Sequence, residues 1–282
     1  MIASAKMTTI PFAKAHACGN DFLIIREDAA AAHDRAELAR ELCARNTGVG
    51  ADGIEFFAPT GVKSGRIRLH NADGSIAEIS GNGTRCVAAW MSANLGCSAG
   101  DELHIETDAG LRICRIDEVR TAAGYSVGVT TGMGIPEVAR KIITLANGRE
   151  VEGIAVSTGN PHFVVTADTP DFSVDGEAWQ AIGAQICTNP EFPNQTNVEF
   201  VRVLSPNDIE IRIFERGVGP TTSSGTGTSA SAAAAIAFHS CTSPLRVVAP
   251  GGAQTVKWNG IGSELELTGP ATLIAQGEAW YG

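Results

Sequence analysis

The chain repeats itself, and that repeat limits what it can fold into. Sliding the 282-residue sequence by 144 positions sets Arg66–Trp90 on Glu210–Ala234, with eight identities in 25 positions. Ser80-Gly81-x-Gly83-Thr84 meets Ser224-Gly225-x-Gly227-Thr228, and Ala88-Ala89 meets Ala232-Ala233. At the same offset Ile54-Glu55-Phe56 meets Val198-Glu199-Phe200. At an offset of 140, Gly19-Asn20 and Leu23-Ile24-Ile25 meet Gly159-Asn160 and Phe163-Val164-Val165. Three blocks in one order indicate two copies of one ancestral unit. The expected domains are 1–125 and 126–271, with a late strand near 272–282 returning to join the first.

Short apolar or alternating runs predict strands at Phe22–Arg26, Ile54–Phe57, Ile67–His70, His162–Thr166, Asn197–Leu204 and Asp208–Phe214. Ala36–Arg45 has helical spacing and ends near Asn46 and Gly48, which are stop signals. Each half then repeats a strand, a glycine-containing loop, S-G-x-G-T and an apolar helix, near Gly83–Asn94 and Gly227–His239. The second of these helices has no charged face, so it should be buried all round. In a strand-rich chain that implies a helix enclosed by a curved sheet. The predicted class is α/β in the α+β sense: two pseudo-symmetric domains, each a curved, mostly antiparallel sheet or barrel around a central helix. Leu265–Gly282 should supply late strand pieces.

Composition removes several functional classes. Lys and Arg number 21 against 31 Asp and Glu, a net charge of −10, which disfavours binding along a phosphate backbone. No run approaches 18 apolar residues, so no membrane-spanning helix is expected. The first residues lack the charged start and long apolar run of a signal peptide. Seven cysteines without a CxxC pair indicate neither a zinc site nor a disulfide framework, and the expected setting is cytoplasmic and reducing.

Glycine, 32 of 282 residues, concentrates in the loops that precede the apolar helices. A helix N-terminus presents free N–H groups and positive potential, and glycine lets the backbone approach a ligand closely. Two such termini related by the repeat suit a reaction with a two-fold relation, such as removing a proton from one face of a carbon and returning one to the other. Competing motifs fail on context. Gly225-Thr-Gly-Thr-Ser-Ala matches a dinucleotide pattern, but ten residues separate it from the strand end at Phe214 and no acidic residue follows near position 245. Neither Ser80 nor Ser224 lies in G-x-S-x-G, and the six histidines form no HExxH, so no metal is expected.

Several blocks together resemble the diaminopimelate epimerase family. They are His16-Ala-Cys-Gly-Asn20-Asp-Phe, Gly50-Ala-Asp-Gly, Asn71-Ala-Asp-Gly-Ser, Ser80-Gly-Asn-Gly-Thr-Arg-Cys86, Gly159-Asn-Pro-His162, Thr196-Asn-Val-Glu-Phe and Glu215-Arg-Gly-Val-Gly. The resemblance runs from about residue 10 to the end. It implies two mirror-related domains with the active site in the cleft between them, and a homodimer. The implied reaction is a two-base epimerisation of LL- to meso-diaminopimelate, a lysine and peptidoglycan precursor, without pyridoxal phosphate or any other cofactor. Carried over by position, Asn20, Asn71, Asn160, Asn197, Glu215 and Arg216 would hold the polar groups of this small amino-acid substrate, with Arg216 forking onto the distal carboxylate. Gly81-Asn82 and Gly225-Thr226 would offer backbone N–H groups to the reacting carboxylate. Ser80 and Ser224 take the two proton-transfer positions, tuned by His162 and Glu215.

Those two positions depart from the family, which carries cysteines there. Gly53 and Pro220 also stand where the family commonly has Gln and Glu. A thiol titrates near ~8.5 and lower at a helix N-terminus, whereas a hydroxyl is a far weaker acid. Serine is also a favoured N-cap, so both serines have a plain structural use. Three readings stay open: an epimerase, an amino-acid-binding paralogue without turnover, and a related racemase or isomerase with another substrate. An isomerase of the phenazine-biosynthesis type would need an acidic base, for which Glu78 and Glu215 are the candidates.

Overall fold

The computed structural model describes residues 8–77, 80–122 and 124–281. The chain divides into two compact units, residues 1–130 with 270–282, and residues 131–269. The first holds β1 (Thr8–Ala17), β2 (Asn20–Arg26), α1 (Arg35–Leu42), β3 (Gly53–Gly61), β4 (Ser64–Asn71), β5 (Ile76–Ala77), α2 (Gly81–Leu95), β6 (Glu102–Thr107), β7 (Gly110–Arg120) and most of β8 (Ser126–Gly132). The second holds β9 (Glu137–Thr144), β10 (Glu150–Ser157), β11 (Pro161–Thr166), α3 (Trp179–Cys187), β12 (Asn197–Ser205), β13 (Asp208–Glu215), β14 (Gly219–Thr221), α4 (Gly225–Phe238), β15 (Leu245–Ala249) and β16 (Gly252–Trp258). One long strand, β17 (Leu265–Tyr281), starts in the second unit and ends in the first.

The ladders repeat as the sequence does. In unit 1, β1–β2 is antiparallel, β2–β3 parallel, β3–β4 antiparallel, β4–β6 parallel and β6–β7 antiparallel. In unit 2 the same succession of senses runs through β10–β11, β11–β12, β12–β13, β13–β15 and β15–β16. Each parallel pair is joined by a connection that contains a helix, as parallel strands require. The end of β17 pairs with β1 from Thr8↔Tyr281 to His16↔Thr272, and its start pairs with β16 from Thr255↔Thr268 to Trp258↔Leu265.

In each unit eight strands send apolar side chains to one cluster around one helix. Around α2 these include Ala15, Phe22, Phe57, Leu69, Leu103, Ile116, Val129 and Ala271. Around α4 they include Val138, Ile154, Val164, Val201, Ile211, Val247, Val256 and Leu267. α4 is buried from Gly225 to Ala235, and its alanines are small enough for a helix to pass inside a barrel of strands. α1 and α3 cover the outer faces: Leu38 and Leu42 pack on Leu23 and Ile54, and Ile182 and Ile186 on Phe163 and Val198. Strands β2, β3, β11 and β12 are thus buried on both faces, which is why they read as near-continuous apolar runs.

Several boundaries differ from expectation. α1 ends at Leu42, not Arg45, because Val49 and Gly50 fold back and donate their N–H groups to the Leu42 carbonyl. Both central helices start two residues early, at Gly81 and Gly225, because Ser80 and Ser224 cap them. Leu265–Tyr281 is one strand, not pieces, and Gly282 lies outside the described residues.

Candidate active site

In unit 1 the site begins at the N-terminus of α2. Ser80 has extended backbone, and its hydroxyl accepts the Gly83 N–H at 3.0 Å, as an N-cap does. The next turn orders a polar chain. Buried Asn82 donates to Asn20 Oδ1 at 3.0 Å, and its own carbonyl accepts from fully buried Arg85. Asn20 donates to Asp52 Oδ2 at 2.6 Å, Asp52 accepts from Arg45 at 2.7 Å, and Arg45 also donates to Asp21 at 2.8 Å. Burial alone would raise Asp21, but hydrogen bonds from Arg45 and Lys14 outweigh it and hold that carboxyl below the usual carboxylate range. Asn20 and Asn82 are therefore fixed by their partners. Asn71 is different: it closes its own turn, donating to Ser75 Oγ at 3.0 Å.

In unit 2 the parallel register of β11 and β12 sets His162 beside Asn197. The buried imidazole is held from both sides, Nδ1 against Glu199 Oε1 at 2.8 Å and Nε2 against Asn160 Oδ1 at 2.8 Å. Asn197 donates to the Pro161 carbonyl at 3.0 Å and accepts the Arg216 N–H at 3.0 Å, while Arg216 Nη1 donates to the Asn194 carbonyl at 2.9 Å. Ser224 caps α4, accepting the Gly227 N–H at 3.1 Å, and Thr226 Oγ1 lies 3.3 Å from its hydroxyl. Glu215 ends β13, one residue before Arg216. A pocket of about 410 Å³ opens over Asn160, Pro161 and His162, walled by Glu137, Ser157 and Phe192.

Unit 1 therefore gathers Asn20, Ser80, Gly81 and Asn82, and unit 2 gathers Asn160, His162, Asn197, Arg216, Ser224, Gly225 and Thr226. Glu78 lies outside the described residues. All seven cysteines are free and buried, and burial pushes the Cys86 thiol well above its ordinary value. Among the described residues no group of three His, Cys, Asp or Glu side chains is placed to hold a metal ion, and no helix is long and apolar enough to cross a membrane.

Sequence reasoning missed two carboxyls, Glu55 and Glu199. Each sits in the middle of an apolar strand beneath the first turn of a central helix, and both are fully buried. The signal was present: the 144-residue offset matches them as a pair of glutamates, each flanked by apolar residues. The helix glycines make room for them. A β-carbon built on Gly83 would fall on Glu55 Oε1, far inside contact distance, and one on Gly227 would lie 2.7 Å from Glu199 Oε1. Gly83→Ala is therefore expected to destabilise the protein by about 1–3 kcal/mol, the usual cost of overpacking. Glu55→Ala should reverse that cost, so a double-mutant cycle in urea should show strong coupling between the two positions. Additive effects would mean that Glu55 does not lie under Gly83.

Comparison with known proteins gives these two clusters a context. A family model described as diaminopimelate epimerase matches residues 12–136 and 154–274. The chain is 35% identical to the diaminopimelate epimerase of Desulforudis audaxviator over 95% of its own length and 98% of that protein's, and 33% identical to that of Moorella thermoacetica over the same shares. Among solved structures it is similar in fold to a Bacillus anthracis phenazine biosynthesis protein of the PhzF family, with a TM-score of 0.70, 18% identity, and 96% and 99% of the two chains covered. A hydroxyproline epimerase from Agrobacterium vitis is comparably similar in fold, with a TM-score of 0.69, 16% identity, and 98% and 93% covered.

Proposed function

Because the chain belongs to the diaminopimelate epimerase family, we propose that it inverts the α-carbon of diaminopimelate, LL to meso, by two proton transfers and without a cofactor. Ser80 serves one transfer and Ser224 the other. The observation that supports this reading is that each unit carries a helix N-terminus capped by a serine, Ser80 in one and Ser224 in the other, among polar residues that match the family's blocks. Backbone N–H groups at Gly81-Asn82 and Gly225-Thr226 stabilise the negative charge that builds on the reacting carboxylate as the α-proton leaves. Asn160 and Asn197 accept and orient the ammonium and carboxylate groups, Glu215 assists the transfer at Ser224, and Arg216 takes the distal carboxylate with its guanidinium.

The test is incorporation of deuterium from heavy water at the α-carbon of LL- and meso-diaminopimelate, followed by proton NMR. Exchange in both isomers is expected. Exchange in neither, even after thiols are restored at positions 80 and 224, would reject this substrate. Arg216→Met should weaken binding of either isomer by roughly 10–100-fold in calorimetry, the range for a lost charge-assisted pair. An unchanged Kd would remove Arg216 from the site.

A second reading is favoured by one observation: both capping residues are hydroxyls. A chain that holds diaminopimelate without turnover would bind it in calorimetry yet show no exchange.

A further inference from the structure

We infer that Glu199 is a positioning residue of unit 2: through His162 it fixes the Asn160 amide with its oxygen turned inward and its NH2 group towards the pocket, so that the pocket receives a carboxylate of the ligand. The inference rests on the epimerase reading above for the identity of that ligand and adds a residue to it.

Strand register brings the three residues together. In the parallel pairing of β11 and β12, His162 stands beside Asn197 and Val164 beside Glu199. Side chains two residues apart share one face of a strand. Glu199 therefore lies on the inner face with Val164 and Val201, diagonally across from His162. Both side chains are fully buried, and Glu199 Oε1 lies 2.8 Å from His162 Nδ1. The other carboxyl oxygen has no hydrogen-bond partner among the described residues, so the ring is what this carboxyl holds. On its far side the ring meets Asn160 Oδ1, 2.8 Å from Nε2.

Counting donors gives the chain its direction. An amide oxygen only accepts, so Nε2 carries a proton. At Nδ1 one further proton is shared with the Glu199 carboxyl, which leaves the buried pair neutral as a whole. The bond made by one ring nitrogen decides the state of the other. Without the carboxyl, a neutral ring is free to hold its proton on Nδ1, and a bare Nε2 calls for the nitrogen of the Asn160 amide in place of its oxygen.

Asn160 Oδ1 also accepts from the Thr158 hydroxyl at 3.3 Å. With both lone pairs filled, that oxygen has nothing to offer a ligand. Asn160 Nδ2 makes no hydrogen bond among the described residues, and Asn160 lines the pocket. It therefore presents donors, which suit a carboxylate and repel an ammonium group. Glu137, in the same lining, suits the ammonium.

The other copy of the repeat keeps the amide oxygen inward by another route. Asn20 matches Asn160 at the 140-residue offset, and its Oδ1 accepts from Asn82 Nδ2 at 3.0 Å. In unit 1 Phe22 takes the place of His162, since Phe22 pairs with Gly53 as His162 pairs with Asn197. A phenyl ring passes no hydrogen bond, so only in unit 2 does an imidazole connect the buried acid to the asparagine.

The experiment reads the ring and the ligand separately. Two-bond proton–nitrogen NMR spectra of the chain labelled with 15N-histidine report the protonation of each ring nitrogen, and the His162 signals are those missing from His162→Gln. A protonated Nε2 is expected in the unaltered chain. In Glu199→Gln, whose amide N–H can donate to Nδ1, Nε2 should stay protonated. In Glu199→Met nothing fixes the ring, and a mixture of tautomers is expected. Calorimetry with LL- and meso-diaminopimelate should show Kd raised about tenfold in Glu199→Met and within about threefold of the unaltered value in Glu199→Gln. Asn160→Asp, which turns an oxygen towards the pocket, should weaken binding of both isomers by at least about tenfold. A bare Nε2 in the unaltered chain would overturn the inference, and so would an unchanged ring spectrum in Glu199→Met. Equal losses in Glu199→Gln and Glu199→Met would also overturn it, by tying binding to the charge of the carboxyl and not to the ring. Tighter binding by Asn160→Asp would show that the pocket takes the ammonium. If the unaltered chain binds neither isomer, the diaminopimelate reading fails, while the ring spectra still decide whether Glu199 sets His162.

Discussion

Restoring thiols at both helix caps, Ser80→Cys with Ser224→Cys, should raise α-hydrogen exchange on diaminopimelate by on the order of a thousandfold. A cysteine near ~8.5 is roughly a few per cent thiolate at neutral pH. An alcohol is closer in acidity to water, near ~15.7, and its basic form is scarcer by roughly seven powers of ten. An alkoxide, once formed, is the stronger base, and Brønsted behaviour returns about half of that gap. The half that is left is the predicted gain. Both positions must change, because an inversion uses one group on each face and the slower transfer sets the rate. Ser80→Cys alone should therefore speed deuterium entry on one face without a matching gain in net epimerisation. The expected structural cost is modest. Sulfur accepts poorly from the Gly83 and Gly227 N–H groups, so each cap loses about 1 kcal/mol and the melting temperature falls by a few degrees. No gain in exchange, with both isomers still bound, would mean that positions 80 and 224 do not face the reacting carbon.

The repeat made the architecture legible because duplication preserves what the core requires. The apolar runs of β2, β3, β11 and β12 survive in both copies since each is covered on two faces. Elements with weak burial left no such trace. β9 buries only Ile143 in eight residues, and β7 only Cys114 and Ile116 in eleven, so neither shows clean alternation. α3 was invisible for a local reason: its N-cap is Ala178, which has no side chain to announce the helix. The candidate site divides along the same line. Ser80, Asn82, Asn160 and His162 lie in short motifs that can be read along the chain. Glu55 and Glu199 lie across the barrel, each under a helix glycine 28 residues further on, and only the register between strand and helix reveals them. Asp52 was likewise missed as the partner that fixes Asn20, because an Ala-Asp-Gly sequence reads first as a turn.

Glu55→Leu should remove a pH dependence of stability that the unaltered chain shows between about pH 4.5 and 8. The folded carboxyl titrates near 8 because burial penalises its charge, against an ordinary value of 4.5 in the unfolded chain. Between those values the folded state holds a proton that the unfolded state has released. Stability therefore falls as pH rises through this window, is greatest below it, and is fully diminished above the folded value. The gap corresponds to on the order of 5 kcal/mol, a large share of the total stability of a protein. Other groups titrate elsewhere or in the opposite sense. Asp28, Asp73 and Asp101, lowered by their hydrogen-bond partners, lose their contribution only at more acid pH. His70 and His239, lowered by burial, gain stability as pH rises through the ordinary histidine range, and they are common to both proteins, so a comparison cancels them. Leucine fills similar volume on an apolar strand and leaves no orphaned oxygen under Gly83. Urea midpoints at pH 5 and pH 8.5 should thus differ clearly less in Glu55→Leu than in the unaltered chain, with the variant the more stable of the two at pH 8.5. Parallel pH profiles would show that water or a shifted side chain solvates the Glu55 carboxylate, and the buried acid beneath α2 would then have no energetic reality.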